Sequence, residues 1–211
     1  MLKIGIECES IEDTETWGIG RIVKKLLKEI SQRPELKKEF GFFLYFKSKI
    51  PDLAFLDNEI FVKKIVKPTF MPASFSLYYY LFLPIKLWFE GLDLMFFPNY
   101  MLPIIFRGKS LVILTEDIYH EIRRSDLRLR YKLAYKIFAG WWAARHATRI
   151  IAISETSKKE VGKLFNINPD RIVVNTPGIE RPKIITRNQR LETSDYILYV
   201  GQMFPRRRAV E

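Results

Sequence analysis

The sequence is short of the residue types that most often build metal sites. It contains one cysteine, Cys8, and two histidines, His120 and His146. A single cysteine excludes an intramolecular disulfide and a cysteine-based metal cluster, and two histidines exclude a multi-histidine site. We therefore expect no metal site built from cysteine or from several histidines, and so little cysteine fits a reducing cytoplasm.

The sequence also lacks a long hydrophobic run. Residues 1–3 are followed directly by a short apolar run at 4–6, which is typical of a buried strand. This run is too short to be the apolar core of a secretion signal. The uncharged stretch between Lys67 and Lys86 contains three prolines. A spanning helix needs roughly 20 mostly apolar residues, so we reject a span. A peripheral position on the inner face of the membrane is kept as an alternative.

Acidic residues are outnumbered by basic ones. Lysine and arginine total 35 and aspartate and glutamate total 24, which gives a net charge of +11. Such a charge favours polyanionic partners, namely nucleic acid, anionic lipid or phosphorylated substrates. A nucleic-acid-binding protein ranks last among these functions, because no helix-turn-helix, zinc or RNA-binding signature accompanies the charge. Hydrophobic residues make up 48% of the chain, which is enough for a folded core.

Short apolar runs alternate with helical periodicities along the chain. Strands are predicted at residues 3–7, 42–46, 60–66 (an edge strand), 92–97, 110–115, 149–153 and 172–174. Helices are predicted from Ile19 onwards, in part of 75–89 where Pro84 kinks or divides the segment, and over 127–146. This alternation predicts a parallel sheet flanked by helices, a Rossmann-like α/β fold.

One further helix should follow the strand at 149–153. Ser154 or Thr156 can cap it, and Ser157 with Glu160 has capping-box spacing.

The C-terminal part of the sequence predicts a change of domain. Residues 181–194 are polar and rich in arginine, which is typical of a linker. A new apolar strand follows at 196–200, and a lone strand must join a sheet. We therefore predict one domain over 1–180, a linker over 181–194, and the first strand and turn of a second, truncated domain over 195–211.

Six short segments along the chain together form a recognisable series. They are Trp17-Gly18-Ile19-Gly20-Arg21, residues 93–103 (DLMFFPNYMLP), 111–117 (LVILTED), 149–158 (RIIAISETSK), 171–179 (RIVVNTPGI) and 196–207 (YILYVGQMFPRR). In this order they resemble the motifs of glycosyltransferase family 4. A single segment carries little weight, but their common order over nearly the whole chain is specific.

The resemblance implies a fold and an activity. Two Rossmann-like domains would face each other across a cleft in the GT-B arrangement, with the N-terminal domain on the acceptor side. The enzyme would transfer a hexose such as mannose or glucose from a nucleotide sugar to a glycan or lipid-linked acceptor, without a metal, in cell-envelope polysaccharide synthesis. The isolated chain is expected to be inactive. The alternative is a non-catalytic half that binds a separate chain carrying the second domain.

The resemblance also assigns residues that bind the donor. Gly18, Ile19 and Gly20 would border the cleft near the donor phosphates, where glycine allows close backbone approach at a helix N-terminus. The alternative is a plain tight turn. Arg206 and Arg207 would contact the donor diphosphate, although Gln202 stands where the family has an arginine.

The remaining candidates are catalytic or bind the acceptor. Glu116 and Asp117 follow a predicted strand where the family has His-Asp, so Glu116 replaces the expected histidine. A carboxylate can act as a base there, and the alternative is a polar loop with altered or lost activity. Asn99, Tyr100 and His120 would contact the acceptor.

Two patterns have a structural and a functional interpretation. Arg124, Arg128, Lys132 and Lys136 repeat every four residues; a solvated helix face is favoured over a phosphate-binding or membrane-binding face. The aromatic residues Tyr78, Tyr79, Tyr80, Phe82 and Trp88 are expected to pack in the core rather than to contact a lipid-linked acceptor.

Overall fold

The computed structural model describes residues 1–13, 18–66, 74–116 and 140–178. Their strands form one seven-stranded parallel sheet in the order β3-β2-β1-β4-β5-β6-β7. The strands are β1 (Leu2–Glu7), β2 (Phe40–Phe46), β3 (Phe61–Ile65), β4 (Leu94–Phe97), β5 (Ser110–Ile113), β6 (Arg149–Ala152) and β7 (Ile172–Val174). The Rossmann-like α/β prediction is confirmed, and β3 is an edge strand as expected.

Helices follow the strands in the expected order. They are α1 (Ile19–Ser31), α2 (Phe75–Leu77), a π-helix (Tyr78–Phe82), α3 (Leu83–Trp88), α4 (Trp142–His146) and α5 (Glu155–Phe165). Pro84 lies in the first turn of α3, directly after the π-helix, and its ring nitrogen cannot donate the next intrahelical hydrogen bond. The predicted division of this segment is therefore confirmed. Only the end of the long helix predicted over 127–146 is described, as α4.

The start of α5 corrects one prediction. Ser154 is the N-cap, and its side chain accepts a hydrogen bond from the backbone N–H of Ser157 at 3.0 Å. The capping box predicted for Ser157 and Glu160 is wrong, because Ser157 lies inside the first turn of α5. The end of β6 at Ala152 brings Ser154, rather than Ser157, to the junction where a cap is needed.

Alternate residues of the sheet face two hydrophobic cores, because successive strand side chains point to opposite faces. Ile113 and Ile151 pack with α1 on one face, whereas Val112 and Ile150 pack with α3 and α5 on the other. Tyr78 and Tyr79 are fully buried in the second core. Core packing is thus confirmed for these two aromatics.

Residues Met1–Pro177 form one compact unit. The predicted boundaries at 180 and 194 lie outside the described residues and stay predictions. No helix in the described part of the chain is long and apolar enough to cross a membrane.

Candidate functional site

The strand order reverses between β1 and β4, and this point defines the candidate site. β1 pairs with β2 on one side and with β4 on the other, so the connections that leave their carboxyl ends run in opposite directions. Ligands of open α/β sheets bind in the crevice at such a switch point. Glu7 is the last residue of β1, and Asn99 follows the end of β4 by two residues.

Glu7 is a buried carboxyl group held by three different segments. Its side chain has no solvent exposure. Oε1 accepts hydrogen bonds from the backbone N–H of Glu9 at 2.8 Å and from the hydroxyl of Tyr78 at 3.1 Å. Oε2 accepts a hydrogen bond from Nδ2 of Asn99 at 2.8 Å. The Glu7–Asn99 bond therefore spans the switch point between β1 and β4.

Burial raises the pKa of Glu7 from 4.5 to about 8. Desolvation disfavours the charged form, and the negative charge of nearby Glu9 adds to it, whereas the hydrogen bonds from Glu9 N–H and Tyr78 act in the opposite direction. Near neutral pH the carboxyl group is consequently protonated for most of the time. A group with such a pKa can give or accept a proton under physiological conditions.

Tyr78 gives Glu7 a partner in both protonation states. Its hydroxyl oxygen lies 3.1 Å from Oε1 of Glu7 and 3.3 Å from the carbonyl oxygen of Tyr45. The hydroxyl can donate to the carboxylate when Glu7 is ionised. When Glu7 is protonated, the hydroxyl oxygen can accept a hydrogen bond from the carboxylic acid and donate its own hydrogen bond to the Tyr45 carbonyl instead.

Two more glutamates order the loop that follows β1. Nζ of Lys47 lies 3.4 Å from Oε1 of Glu9, and it offsets part of the rise that burial causes in the pKa of Glu9. Glu12 is 6% exposed and accepts hydrogen bonds from the backbone N–H groups of Lys47 and Ser48, the latter at 2.9 Å. The loops after β1 and β2 are thereby joined beside Glu7.

The predicted glycine turn leads into α1. Gly18 is the N-cap with φ +54°, a conformation that glycine adopts without strain, and a Cβ added there would meet no atom within 4 Å. Ile19 and Gly20 are buried, and the Ile19 side chain packs in the core next to Val23. Only backbone groups of Ile19 are thus left to meet a ligand. The first turn of α1, described in full, holds no acidic side chain that would offset its positive dipole end.

Glu116 lies after β5, farther along the same edge of the sheet. It is half-buried, and its Oε2 accepts a hydrogen bond from Oγ of Ser157 at 2.5 Å. This bond ties the residue to the first turn of α5. Tyr100, beside Asn99, has φ +58° and packs against both hydrophobic cores.

The structure thus places six of the predicted site residues at or next to the carboxyl edge of the sheet: Gly18, Ile19, Gly20, Asn99, Tyr100 and Glu116. Of these, Asn99 is in direct contact with Glu7, whereas Glu116 is bonded to Ser157 instead. The other four, Asp117, His120, Arg206 and Arg207, lie outside the described residues. Their assigned roles stay predictions.

Sequence reasoning missed Glu7 and the role of the Tyr78 hydroxyl. The available signal was a carboxylate that ends an apolar strand directly before the first loop of a Rossmann-like fold. The site offers a buried acid at Glu7, a side-chain amide at Asn99 and backbone donors at the start of α1. No cluster of three or more potential metal ligands occurs within the four described ranges.

The fold is similar to that of Anabaena Alr3699/HepE. A crystal structure of HepE in complex with UDP-glucose matches with a TM-score of 0.51 and 14% sequence identity, covering 85% of this chain and 45% of HepE. A second, in complex with UDP and glucose, matches with a TM-score of 0.52, the same identity and the same coverage. The chain therefore spans less than half the length of HepE, and at this identity the likeness shows the fold alone.

Comparisons of sequence gave no further relative. No protein-family model matches the chain, and no curated protein matches it.

Proposed function

We propose that the chain is the acceptor-side domain of a family 4 glycosyltransferase with a GT-B arrangement. The complete two-domain enzyme transfers a hexose such as glucose or mannose from a nucleotide sugar to a glycan or lipid-linked acceptor, at the inner face of the membrane, in cell-envelope polysaccharide synthesis. The observation that carries the proposal is the Glu7–Asn99 hydrogen bond across the switch point. UDP-glucose bound to HepE, which shares the fold, supports a nucleotide sugar as donor.

The acceptor side is assigned to the residues around Asn99. Nδ2 of Asn99 donates a hydrogen bond to Glu7, which also accepts one from Tyr78. These bonds fix the position of the loop that carries Asn99 and Tyr100 after β4. A buried, hydrogen-bonded carboxyl group keeps a neighbouring amide in one orientation, which limits the reorganisation that a bound sugar hydroxyl requires. Asn99 and Tyr100 contact the acceptor, and Glu7 positions Asn99.

The donor side is assigned to backbone groups at the start of α1 together with Arg206 and Arg207. Helix N-termini and basic side chains stabilise the leaving diphosphate as negative charge develops on it. Glu116 and Asp117 stand at the reacting sugar, with Glu116 in the place of the histidine that the family carries. No metal and no cofactor is required.

A second candidate is the non-catalytic half of a split enzyme. The chain covers only 45% of HepE, and the predicted strand at 196–200 needs a sheet to join. A separate polypeptide would then supply the donor domain. Co-purification of this chain with such a polypeptide distinguishes the split enzyme from the single-chain alternative.

The test is a transfer assay with radiolabelled UDP-glucose and GDP-mannose and membrane extract as acceptor. The chain is assayed alone and together with the product of the reading frame that follows its gene. We expect little or no transfer by the chain alone, transfer by the mixture, and a loss of about tenfold or more in Asn99→Ala. Glu59→Gln, an exposed carboxylate away from the site, is the matched control.

Two outcomes contradict the proposal. Turnover at an ordinary enzymatic rate by the chain alone would show that the donor site does not depend on a second domain. Full activity of Asn99→Ala in the active mixture would remove the switch-point residues from the site.

A further inference from the structure

The helical segment 75–89 has an exposed apolar side. Its buried side carries Tyr78, Tyr79, Leu83 and Leu87, which pack in the core. Apolar residues on the outer side recur at helical spacing, and one residue of a neighbouring loop joins them. We call these six side chains the apolar row: Leu77, Leu81, Ile85, Trp88, Phe89 and Ile104. Their exposed fractions run from 38% to 84%, and that of Phe89 is the largest.

The apolar row is large enough to form an interface. Its exposed area is on the order of 600 Å², of which the two aromatic rings supply about half. Apolar patches of this size on soluble proteins mark interaction sites. Two such rows in contact would bury about 1,200 Å² in total, which is the lower end of the range for specific protein–protein interfaces.

The row can be covered without leaving a polar group unpaired. The indole N–H of Trp88 is the one side-chain donor in it, and this group already donates to the carbonyl of Ile105 at 3.2 Å. The same bond holds the loop after β4, with Ile104, against the end of α3. Covering the row therefore removes apolar surface from water at no cost in hydrogen bonds.

The charges beside the row are gathered at one of its ends. Residues 74–85 include no charged side chain. At the other end, Nζ of Lys86 lies 3.2 Å from Oε1 of Glu90, so these two charges balance each other. Arg107 and Lys109 are exposed in the loop after β4, at this same end. One end of the row is thus uncharged, whereas the other carries a net positive charge.

We propose that the apolar row is the contact surface between two copies of this chain, packed antiparallel about a two-fold axis. In such a contact, residue i of one copy meets residue j of the other, and j meets i. With the axis at the middle of the segment, Leu81 of each copy meets Ile85 of the other. Leu77 then meets Trp88, the larger side chain. Self-association is measured without any sugar, so the proposal does not rest on glycosyl transfer.

Antiparallel packing keeps the like charges of the two copies apart. The Lys86 residues lie on opposite sides of the axis, about 10 Å from each other along the helices at a rise of about 1.5 Å per residue. This separation exceeds the Debye length of about 8 Å at physiological ionic strength. Arg107 and Lys109 of one copy approach the uncharged end of the row on the other. The contact therefore gains apolar burial without facing cation against cation.

The same charges argue against an anionic bilayer as the occupant. Basic residues along an inserted face supply the attraction to lipid phosphates. Residues 74–85, which form half of the row, supply none, and Lys86 is already paired with Glu90. A second copy of the chain matches a row that is uncharged at one end better than a uniformly charged surface does.

The first experiment measures self-association of the 211-residue chain by sedimentation velocity over a wide range of concentration. We expect a reversible dimer. Phe89→Glu should raise its dissociation constant about tenfold or more, because it replaces the most exposed ring of the row by a charge. Ile50→Glu makes a similar change at an exposed apolar residue elsewhere and should leave the constant unchanged. Melting curves establish that each variant is folded.

The second experiment tests the antiparallel arrangement by mixing two variants with different tags. Leu81→Lys and Ile85→Glu should each weaken the dimer when alone. Mixed together, they should co-purify as a heterodimer, because one Leu81–Ile85 contact becomes a lysine–glutamate pair and the other is unchanged. The control mixture is Leu81→Lys with Leu77→Glu. Antiparallel packing keeps these two positions about 10 Å apart, so this mixture should not recover the dimer.

Three results would overturn the proposal. The first is a chain that stays monomeric at every concentration; sedimentation of that monomer with anionic lipid vesicles would then assign the row to a bilayer. The second is a dimer that Phe89→Glu leaves unchanged, which would place the contact on another surface. The third is recovery in the control mixture but not in the mixture of Leu81→Lys with Ile85→Glu, which would exclude antiparallel packing.

Discussion

Glu7 and Glu116 occupy similar places on the sheet but very different surroundings. Both stand at the carboxyl edge, Glu7 at the end of β1 and Glu116 just after β5. Glu7 is fully buried, accepts three hydrogen bonds and has a pKa of about 8, whereas Glu116 is half-buried and is held by one hydroxyl group, that of Ser157. Burial, rather than position at the end of a strand, is what raises the pKa of Glu7.

The largest expected effect is a pH dependence of stability that belongs to Glu7. The folded chain keeps the Glu7 proton up to about pH 8, whereas an unfolded chain releases it near 4.5. The folded state therefore binds more protons between these values, so this contribution to stability is full below pH 4.5 and is lost as the pH rises to 8. One unit of pKa shift corresponds to about 1.4 kcal/mol, so the loss is roughly 5 kcal/mol in all.

Urea denaturation of the wild type and of Glu7→Gln at several pH values measures this. The wild type should lose stability relative to Glu7→Gln as the pH rises from 5 to 8. Parallel curves for the wild type and Glu7→Gln would mean that Glu7 titrates like an ordinary carboxyl group.

Truncating Glu7 and Glu116 to alanine should lower the free energy of unfolding by different amounts at a single pH. Glu7→Ala leaves the Asn99 amide and the Glu9 N–H without their partner in a buried place, which costs about 3 kcal/mol. Glu116→Ala should cost about 1 kcal/mol, because only one hydroxyl group, that of the buried Ser157, loses its acceptor. Free energies of unfolding at pH 6 provide the comparison. Equal losses at the two positions would contradict the difference in burial.

The sheet could be predicted from the sequence, whereas the surroundings of Glu7 could not. Apolar runs such as the one at 42–46 fix the strands through local pattern. The burial of Glu7 depends instead on Tyr78 and Asn99, which are 71 and 92 residues away along the chain. Glutamate is also rarely buried, so the ordinary expectation for a glutamate at a strand end is exposure.

Local patterns were insufficient in two further places. Ser154 and Ser157 are both acceptable caps by residue type, and only the end of β6 selects Ser154. In the segment 75–89, the π-helix Tyr78–Phe82 changes the number of residues per turn, so a regular helical period could not assign Phe89 to the outside and Tyr79 to the core.

Asn99→Ala tests how much the hydrogen bond from Asn99 contributes to the surroundings of Glu7. It removes the donor to Oε2, and we expect a loss of about 1 to 2 kcal/mol together with a further rise in the pKa of Glu7, whose charged form loses a hydrogen bond. Asn175→Ala is the matched control and should cost less, since Asn175 is exposed and its backbone N–H bond to the Ala152 carbonyl is kept in the variant. Thermal melts at pH 6 and pH 9 report both effects, and a smaller loss in Asn99→Ala than in Asn175→Ala would contradict the structure.

Ser154→Ala addresses the helix that holds Glu116. The side chain of Ser154 caps α5, so its loss should cost about 1 kcal/mol. Thermal unfolding measures this, and Ser154→Asp should restore most of the stability because aspartate is also a good cap. A full-sized loss in Ser154→Asp would indicate that Ser154 acts through something other than capping.

Ser157→Ala should have the smallest effect on the free energy of unfolding. It tests whether the orientation of Glu116 depends on its hydrogen bond to α5. The hydroxyl of Ser157 donates to Oε2 of Glu116, but it does not cap the helix, so the cap at Ser154 is retained. Since Glu116 is half-buried, water can replace the lost donor, and we expect a loss of about 0.5 kcal/mol. In the transfer assay the same variant should lower activity more than Ser154→Ala does, if the hydroxyl orients Glu116 toward the reacting sugar. Equal activity of the two variants would leave Ser157 with a structural role and remove its hydroxyl from the orientation of Glu116.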